Sequence, residues 1–255
     1  MITNLHTHTP RCRHAVGSEE AYVQAGIQAG LQTLGFSDHT PYWFDGNHYS
    51  SFRMFPEQFP DYVDSVLDLQ KQYAGQLDIR LGLEAEFYPA FFPELLARLK
   101  DSPVEYLLLG QHYIGNEIGD HYSGWATADE ELLRRYCHQV ADAMYTGLFT
   151  YLAHPDLIHY VGDRNIHREH MKIICQAARD CALPLEINLL GIREGRHYPN
   201  RVFWELAAQE NCQVVLGIDA HDPQALLDQQ REQLARQLAA EFGLELLEEP
   251  VIRKL

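Results

Sequence analysis

Short apolar runs and amphipathic stretches take turns along the whole chain. Residues 2–8, 32–38, 77–87, 105–112, 149–154, 184–188 and 213–219 are of strand length, rich in Leu, Ile, Val, Phe and Tyr, and are read as seven strands. Between them the apolar period shifts to three and four. In 59–73, Tyr62, Val66, Leu69 and Tyr73 make one apolar helical stripe. Helices are expected over 19–29, 59–73, 94–100, 128–146, 168–181, 201–209 and 223–242. Ser18 is a fitting N-cap for the first and Gly30 a fitting stop. The tail after 242 has no clear form.

Strand–helix alternation at this density predicts a parallel α/β architecture. No linker-like tract or compositional break divides the chain, so a single domain over 1–255 is expected. Two arrangements fit, a closed barrel and an open doubly wound sheet. An aromatic, polar insertion, PYWFDGNHYSSFRMFP at 41–56, interrupts the pattern after the second strand.

Composition narrows the partners. A formal net charge of -16 and a pI near 5.2 disfavour polyanions, and no Lys/Arg-rich run offers a nucleic-acid track. Five cysteines without C-x-x-C spacing read as reduced thiols; Cys12 alone lies beside candidate chemistry. The N-terminus has no apolar leader, and no apolar run nears the ~20 residues of a membrane span. A cytoplasmic protein acting on a small molecule, with neither nucleic-acid nor membrane partner, is expected; oligomeric state is not legible.

The informative chemistry sits at the strand ends. His6 and His8, His14, Asp38 and His39, Glu84, His112, His154, and Asp219 with His221 all lie at or just past the end of an apolar run. Imidazole and carboxylate are the ligands that zinc, iron and manganese prefer. In a strand, positions i and i+2 share a face, so His6 and His8 can grip one ion, and Asp219 and His221 repeat that spacing. Side chains at the C-terminal ends of strands converge in an α/β barrel, whereas along an open sheet they would be strung out. Convergence therefore favours the barrel. Glu86 shares the face of Glu84, so one carboxylate is read as bridging two metals and the other as contacting substrate. His121, His138, His167 and His170 are read as solvated. His48 is a pocket-lining candidate, and His159 and His197 are candidates for reaching substrate.

These residues fall in the motifs L-H-T-H-T, F-S-D-H-T-P, G-L-E-A-E-F-Y-P, G-Q-H-Y, A-H-P-D and G-I-D-A-H-D-P. In them the chain resembles the PHP family, the polymerase-and-histidinol-phosphatase metallohydrolases, over about residues 2–225. S-F-R-M-F-P-E-Q-F-P-D-Y-V and I-N-L-L-G-I-R point to the histidinol-phosphatase branch. The resemblance implies a distorted seven-stranded (β/α) TIM-like barrel carrying three divalent ions (Zn, Fe or Mn). By similarity His6, His8, Glu84 and Asp219 hold the first ion. Glu84 bridges to a second held by His112 and His154, and His14, His39 and His221 hold the third. Two positions depart from the branch: His159 stands where an arginine usually holds phosphate, and Leu189 and Leu190 replace small polar residues before Arg193.

The implied reaction is phosphomonoester hydrolysis, with L-histidinol phosphate the leading substrate and a hydroxide held between two ions attacking phosphorus in line. Glu84, Asp219 and Asp38 are the catalytic candidates. Arg193, His159, His197, Arg164 and Glu86 are the substrate-binding candidates, with Asp38, His159 or His197 protonating the leaving group. The aromatic side chains Tyr42, Trp43, Phe44, Tyr49, Phe52 and Phe55 either cap the pocket or plug the barrel rim. The alternatives are a PHP-type enzyme for another small phosphomonoester, nucleotide or phosphodiester, and a metal-binding module with a retired site.

Overall fold

A computed structural model describes residues 1–255 apart from Asp45, Asn47, Tyr49 and Asp120. Eight strands form one curled parallel sheet in the order β1 (Thr3–Asn4), β2 (Thr33–Phe36), β3 (Asp78–Ala85), β4 (Tyr106–Leu109), β7 (Phe149–Leu152), β8 (Leu185–Asn188), β9 (Gln213–Gly217) and β10 (Glu245–Leu246). β5 (Tyr113–Ile114) and β6 (His121–Tyr122) form a separate antiparallel hairpin. The helices are α1 (Glu19–Ala29), α2 (Phe59–Gln72), α3 (Phe92–Leu99), α4 (Glu130–Tyr145), α5 (Arg164–Asp180), α6 (Leu189–Glu194), α7 (Arg201–Gln209) and α8 (Gln229–Phe242).

Apart from β10 at the edge, the strands of the parallel sheet are largely buried on both faces, as parallel strands covered by helices must be. β4 shows the division of labour. Leu107 and Leu109 pack outward into the core beneath the helices, while Tyr106 and Leu108 join Leu5, Tyr151, Ala153 and Val215 in a separate cluster inside the curl. Period-two alternation thus fills two cores from one strand. Beyond β1 and β9 the chain pairs once more, Thr7 bridging Ala220. The His8 amide donates to Ala220 O at 2.9 Å and the Ala220 amide to His6 O at 3.2 Å. This contact joins the first strand to the ninth at the end where the candidate ligands lie.

Most predicted elements form, with altered ends. Ser18 caps α1 by accepting from the Ala21 amide, and Gly30 closes it at φ 79°. α5 begins at Arg164, four residues earlier than predicted, because Asp163 accepts from the Asn165 and Ile166 amides. The helix predicted over 223–242 is broken at Asp228: a 3-10 turn, Pro223–Leu227, precedes α8, and the Asp228 side chain caps α8 through the Arg231 amide. The strand count also differs. The tail contributes β10, which pairs with β9 through Glu245–Gln213 and Leu246–Val214, so the sheet has eight strands rather than seven. Its continuation lays Leu247 and Ile252 against the inner cluster.

Among the described residues no helix is long and apolar enough to cross a membrane.

Candidate metal centre

The nine predicted ligands converge at the C-terminal end of the curled sheet. Glu84 lies at the middle of the cluster, at the end of β3. Its Oε1 is 2.8 Å from His154 Nε2, 3.6 Å from His6 Nε2 and 3.8 Å from His112 Nε2. Its Oε2 is 2.9 Å from His39 Nδ1 and 3.6 Å from His8 Nε2. One carboxylate therefore faces two sets of imidazoles. Asp219 Oδ1 lies 3.1 Å from His8 Nε2 and 3.4 Å from His6 Nε2. His14, His39 and His221 offer ligand atoms within 4.8 Å of one another, as do His6, His8 and Asp219, and His6, Glu84 and His154.

The backbone explains the aim of these groups. His6 and His8 flank the residue that bridges to Ala220, so both point into the curl. His39 pairs with Glu84 as a continuation of β2 and β3. His154 and Asp219, at the ends of β7 and β9, have φ of 30° and 52°, in the left-handed region that costs a non-glycine residue about 1–3 kcal/mol. The strain turns both side chains inward. Space is provided by glycine: a Cβ at Gly110 would strike the Glu84 carboxylate, and one at Gly217 the Glu186 carboxylate.

Five of the seven imidazoles are also held from behind. Nδ1 of His6 meets Glu186 Oε1 at 2.8 Å, that of His8 Asp38 Oδ1 at 3.4 Å, and that of His112 Glu86 Oε1 at 2.9 Å. Nδ1 of His14 meets Cys12 O at 2.8 Å, and that of His221 Asp219 O at 3.0 Å. Such contacts fix the tautomer and leave Nε2 free for a ligand bond. Buried atoms lacking a hydrogen-bond partner include Nε2 of His6, His8 and His221, Nδ1 of His154, and Oε2 of Glu84. Buried polar atoms are seldom left so; those of His6, His8, Glu84 and His221 belong to residues whose ligand atoms gather in groups within 4.8 Å of one another. The donor set fits divalent cations of the zinc, iron and manganese type.

The electrostatics agree. Burial opposes charge on His8, but contact with Asp219 and Asp38 outweighs it and lifts its pKa to about 9. Burial likewise opposes charge on His6, yet Asp219, Glu186 and Glu84 raise its pKa well above the ordinary value. Burial and the neighbouring His8 push His39 and His221 well down. Glu84 and Asp219 stay well below the usual carboxylate range despite burial, because imidazolium charges surround them. Without cations, protons must supply the positive charge that these buried carboxylates require. The thiol of Cys12 lies within 4.8 Å of ligand atoms of His8 and His221, but burial pushes its pKa up and keeps it protonated.

A cavity of about 540 Å³ opens above the cluster. Its lining includes His14, His39, His112, His154, Asp219 and His221 at the floor, with Phe52, Tyr113, Tyr122, Trp125, Leu157, Leu190, Glu194, Arg196 and Tyr198 around it. The arginine at this wall is Arg196, 2.7 Å from Tyr198 Oη and paired with Glu194.

The structure places several of the predicted substrate-side residues away from this cavity. Arg193 is exposed and outside the lining: it lies about 100° round α6 from Glu194, whereas the left-handed Gly195 turns the chain back and brings in Arg196. Arg164 starts α5, is exposed, and faces Glu205 at 4.0 Å. His159 and His197 stack on each other at 4.0 Å, with His197 Nε2 on Leu157 O at 2.8 Å, and neither lines the cavity. Asp38 is buried behind His8, taking hydrogen bonds from Thr9 Oγ1 and the His39 amide. Glu86 is buried behind His112 and faces no substrate space. His167, expected on the surface, is buried against Tyr160. Among the described residues of the aromatic insertion only Phe52 lines the cavity. Tyr42 and Phe44 pack with Tyr88 as a rim plug, Trp43 lies under Arg98 and Phe55 under Arg13, while Tyr49 lies outside the described residues.

Sequence reasoning missed Glu186 and Asn188. Asn188 Nδ2 donates to Asp219 Oδ2 at 3.0 Å, and Glu186 Oε2 accepts from the His154 amide at 2.9 Å. Their signal was the polar alternation in Leu185-Glu186-Ile187-Asn188, which places both on one face of β8. The aromatic wall from the β5–β6 hairpin gave no comparable signal.

Residues 4–189 match the PHP domain family. The chain is 34% identical over 232 residues to a probable histidinol-phosphatase of Deinococcus radiodurans, covering 87% of each protein. It is 24% identical over 250 residues to a histidinol-phosphatase of Bacillus subtilis, covering 85% of this chain and 92% of the relative. Among solved structures, the histidinol phosphate phosphatase of Lactococcus lactis, complexed with zinc, L-histidinol and phosphate, aligns with a TM-score of 0.76 at 21% identity. That match covers 99% of this chain and 97% of the other.

Proposed function

We propose, from the premise that this chain belongs to the PHP domain family, that it is a metal-dependent phosphomonoesterase converting L-histidinol phosphate to L-histidinol and phosphate. The observation that carries the reading is the convergence of His6, His8, His14, His39, Glu84, His112, His154, Asp219 and His221 on common centres beneath one cavity. Relatives named as histidinol-phosphatases over most of the chain support the substrate. We read residues 1–255 as one such domain, its curled sheet as a distorted barrel whose first seven strands, from β1 to β9 in the sheet order, position the site, and its ion complement as three. Zinc, iron and manganese all suit the donors.

Bound divalent cations would acidify a water molecule and neutralise phosphate oxygens. The rest falls to the protein. Glu84, with one oxygen toward each set of imidazoles, holds the two halves of the cluster at fixed separation. Asp219, tied to Asn188, orients with His6 and His8. Arg196 supplies a guanidinium for phosphate at the wall. Burial keeps the hydroxyls of Tyr198 and Tyr122 protonated, so each can donate to a developing anion. Trp125, Tyr113 and Phe52 offer flat faces to an imidazole-bearing leaving group.

His159, turned toward His197 where the branch carries a phosphate-holding arginine, favours a second reading: another small phosphomonoester, nucleotide or phosphodiester. The test is turnover of a substrate panel by metal-replete protein, with elemental analysis alongside. L-Histidinol phosphate should exceed p-nitrophenyl phosphate and nucleotides in kcat/KM by at least tenfold. Parity with the chromogenic ester would overturn the leading substrate, and inactivity on all esters would overturn the enzymatic reading.

A further inference from the structure

An arginine is seldom buried, and a buried one must have its charge answered. Arg53, near the end of the aromatic insertion, is 2% exposed. Its Nη1 and Nη2 donate to the two oxygens of Glu86 at 3.1 and 2.9 Å. Its Nε and Nη2 donate to Glu117 Oε2 at 3.0 and 2.8 Å, and Nη1 also donates to Thr40 O at 2.8 Å. Glu86 in turn meets His112 Nδ1 at 2.9 Å, and His48 Nε2 lies 3.2 Å from Glu117 Oε1. One guanidinium thus joins the insertion, the end of β3 and the loop between β5 and β6. It also lies 4.4 Å from the ring of Phe52, which lines the cavity 5.5 Å from the His112 ring and 5.1 Å from His39.

We propose that Arg53 is a positioning residue: through Glu86 it fixes the direction of His112 toward its ion, and through Phe52 it seats one wall of the cavity. The proposal rests on the metal-centre reading above. The physical argument is geometric. A guanidinium presents its donors in a rigid plane, so gripping both oxygens of Glu86 sets the rotation of that carboxylate. The oxygen that Glu86 presents to His112 then has a single position. Lysine would supply charge without the fork and leave Glu86 free to rotate. A buried ion network of this kind adds little net stability over apolar packing, so its consequence lies in direction rather than in holding the fold.

The test is uptake of Co²⁺ by the metal-free full chain, followed by calorimetry and by visible absorption of the bound ion, with circular dichroism melting in parallel. In Arg53→Lys one ion should bind about ten- to a hundredfold more weakly, the range typical when the group behind a ligand histidine is lost. The remaining ions should keep wild-type affinity and the far-ultraviolet spectrum should be unchanged. Glu117→Gln, which leaves the Arg53–Glu86 fork intact and loosens its outer anchor together with the contact to His48, should weaken the same ion less, and it carries the test if Arg53→Lys does not fold. Arg201→Ala, which removes an exposed pair with Glu241, should change nothing. Wild-type affinity for every ion in either folded variant, or equal weakening of all ions, overturns the proposal. The titration contains no substrate, so a protein that shows the selective loss yet hydrolyses no phosphomonoester would overturn the functional reading alone.

Discussion

Glu186 Oε1 sits 2.8 Å from His6 Nδ1, in space that exists because residue 217 is glycine. The carboxylate holds the ring from behind and, through its other oxygen, takes the amide of His154. Glu186→Gln keeps the volume and removes the charge. Metal affinity should fall about ten- to a hundredfold, with the melting temperature of the metal-free protein within a few degrees of wild type. Gly217→Ala should cause the same loss and lower the melting temperature as well, since its methyl strikes the carboxylate. Metal titration and thermal melts of both variants check this; unchanged affinity in both would refute the role.

Asp219 combines a ligand's position with a strained backbone at φ 52°. Asp219→Ala and Asp219→Gly should both lose bound metal and at least a thousandfold in kcat. They should differ in stability, the glycine variant being more stable by about 1 kcal/mol because glycine adopts this conformation without strain. Chelation should lower the melting temperature of the wild type by more than that of either variant, since a ligand that binds only the folded state stabilises it and each variant lacks one ion. Calorimetry with elemental analysis decides.

The two arginines of the 193–196 segment should separate cleanly. Arg196→Ala should raise KM about tenfold or more, the value of a charge-assisted hydrogen bond of about 1.5–3 kcal/mol, with metal content unchanged. Arg193→Ala, on the outer face, should leave kcat and KM within twofold. The reverse pattern in steady-state kinetics would place phosphate at the other arginine.

Asp156 gives a pH signature. Burial raises its pKa from the usual carboxylate range to about 7, against hydrogen bonds such as that from the Asn200 amide. The folded state therefore holds a proton that the unfolded chain has released, and stability falls as pH rises from about 4 to about 7. The contribution is complete below the unfolded pKa and gone above the folded one, at about 1.4 kcal/mol per unit. Asp156→Asn, which keeps an acceptor for Asn200, should flatten this slope and be more stable than wild type at pH 8. Urea unfolding at pH 5 and pH 8 measures it; identical slopes would refute the assignment.

Most of the candidate ligands were legible because a run that ends in histidine or carboxylate marks itself; His14, which follows Pro10-Arg11-Cys12-Arg13, had no such run before it. Helix starts were legible where a cap is local, as at Ser18, and were misplaced where the cap was not recognised, as at Asp163. Substrate-side residues were not legible. Whether Arg193 or Arg196 meets the cavity depends on a single left-handed turn at Gly195, and whether Glu86 faces substrate or His112 depends on Arg53, 33 residues away. The tail strand was invisible because two residues, Glu245 and Leu246, carry no period.

The bridge between Thr7 and Ala220 brings together chain segments more than 200 residues apart, and each is flanked by candidate ligands. Shutting the seam and completing the coordination pocket are thus one event. A chain growing from its N-terminus carries His6 and His8 from the start, but it cannot offer a finished socket until the segment around residue 220 has been made. Cation uptake would then report completed folding, and truncation anywhere before that point would leave thirsty imidazoles on an open edge.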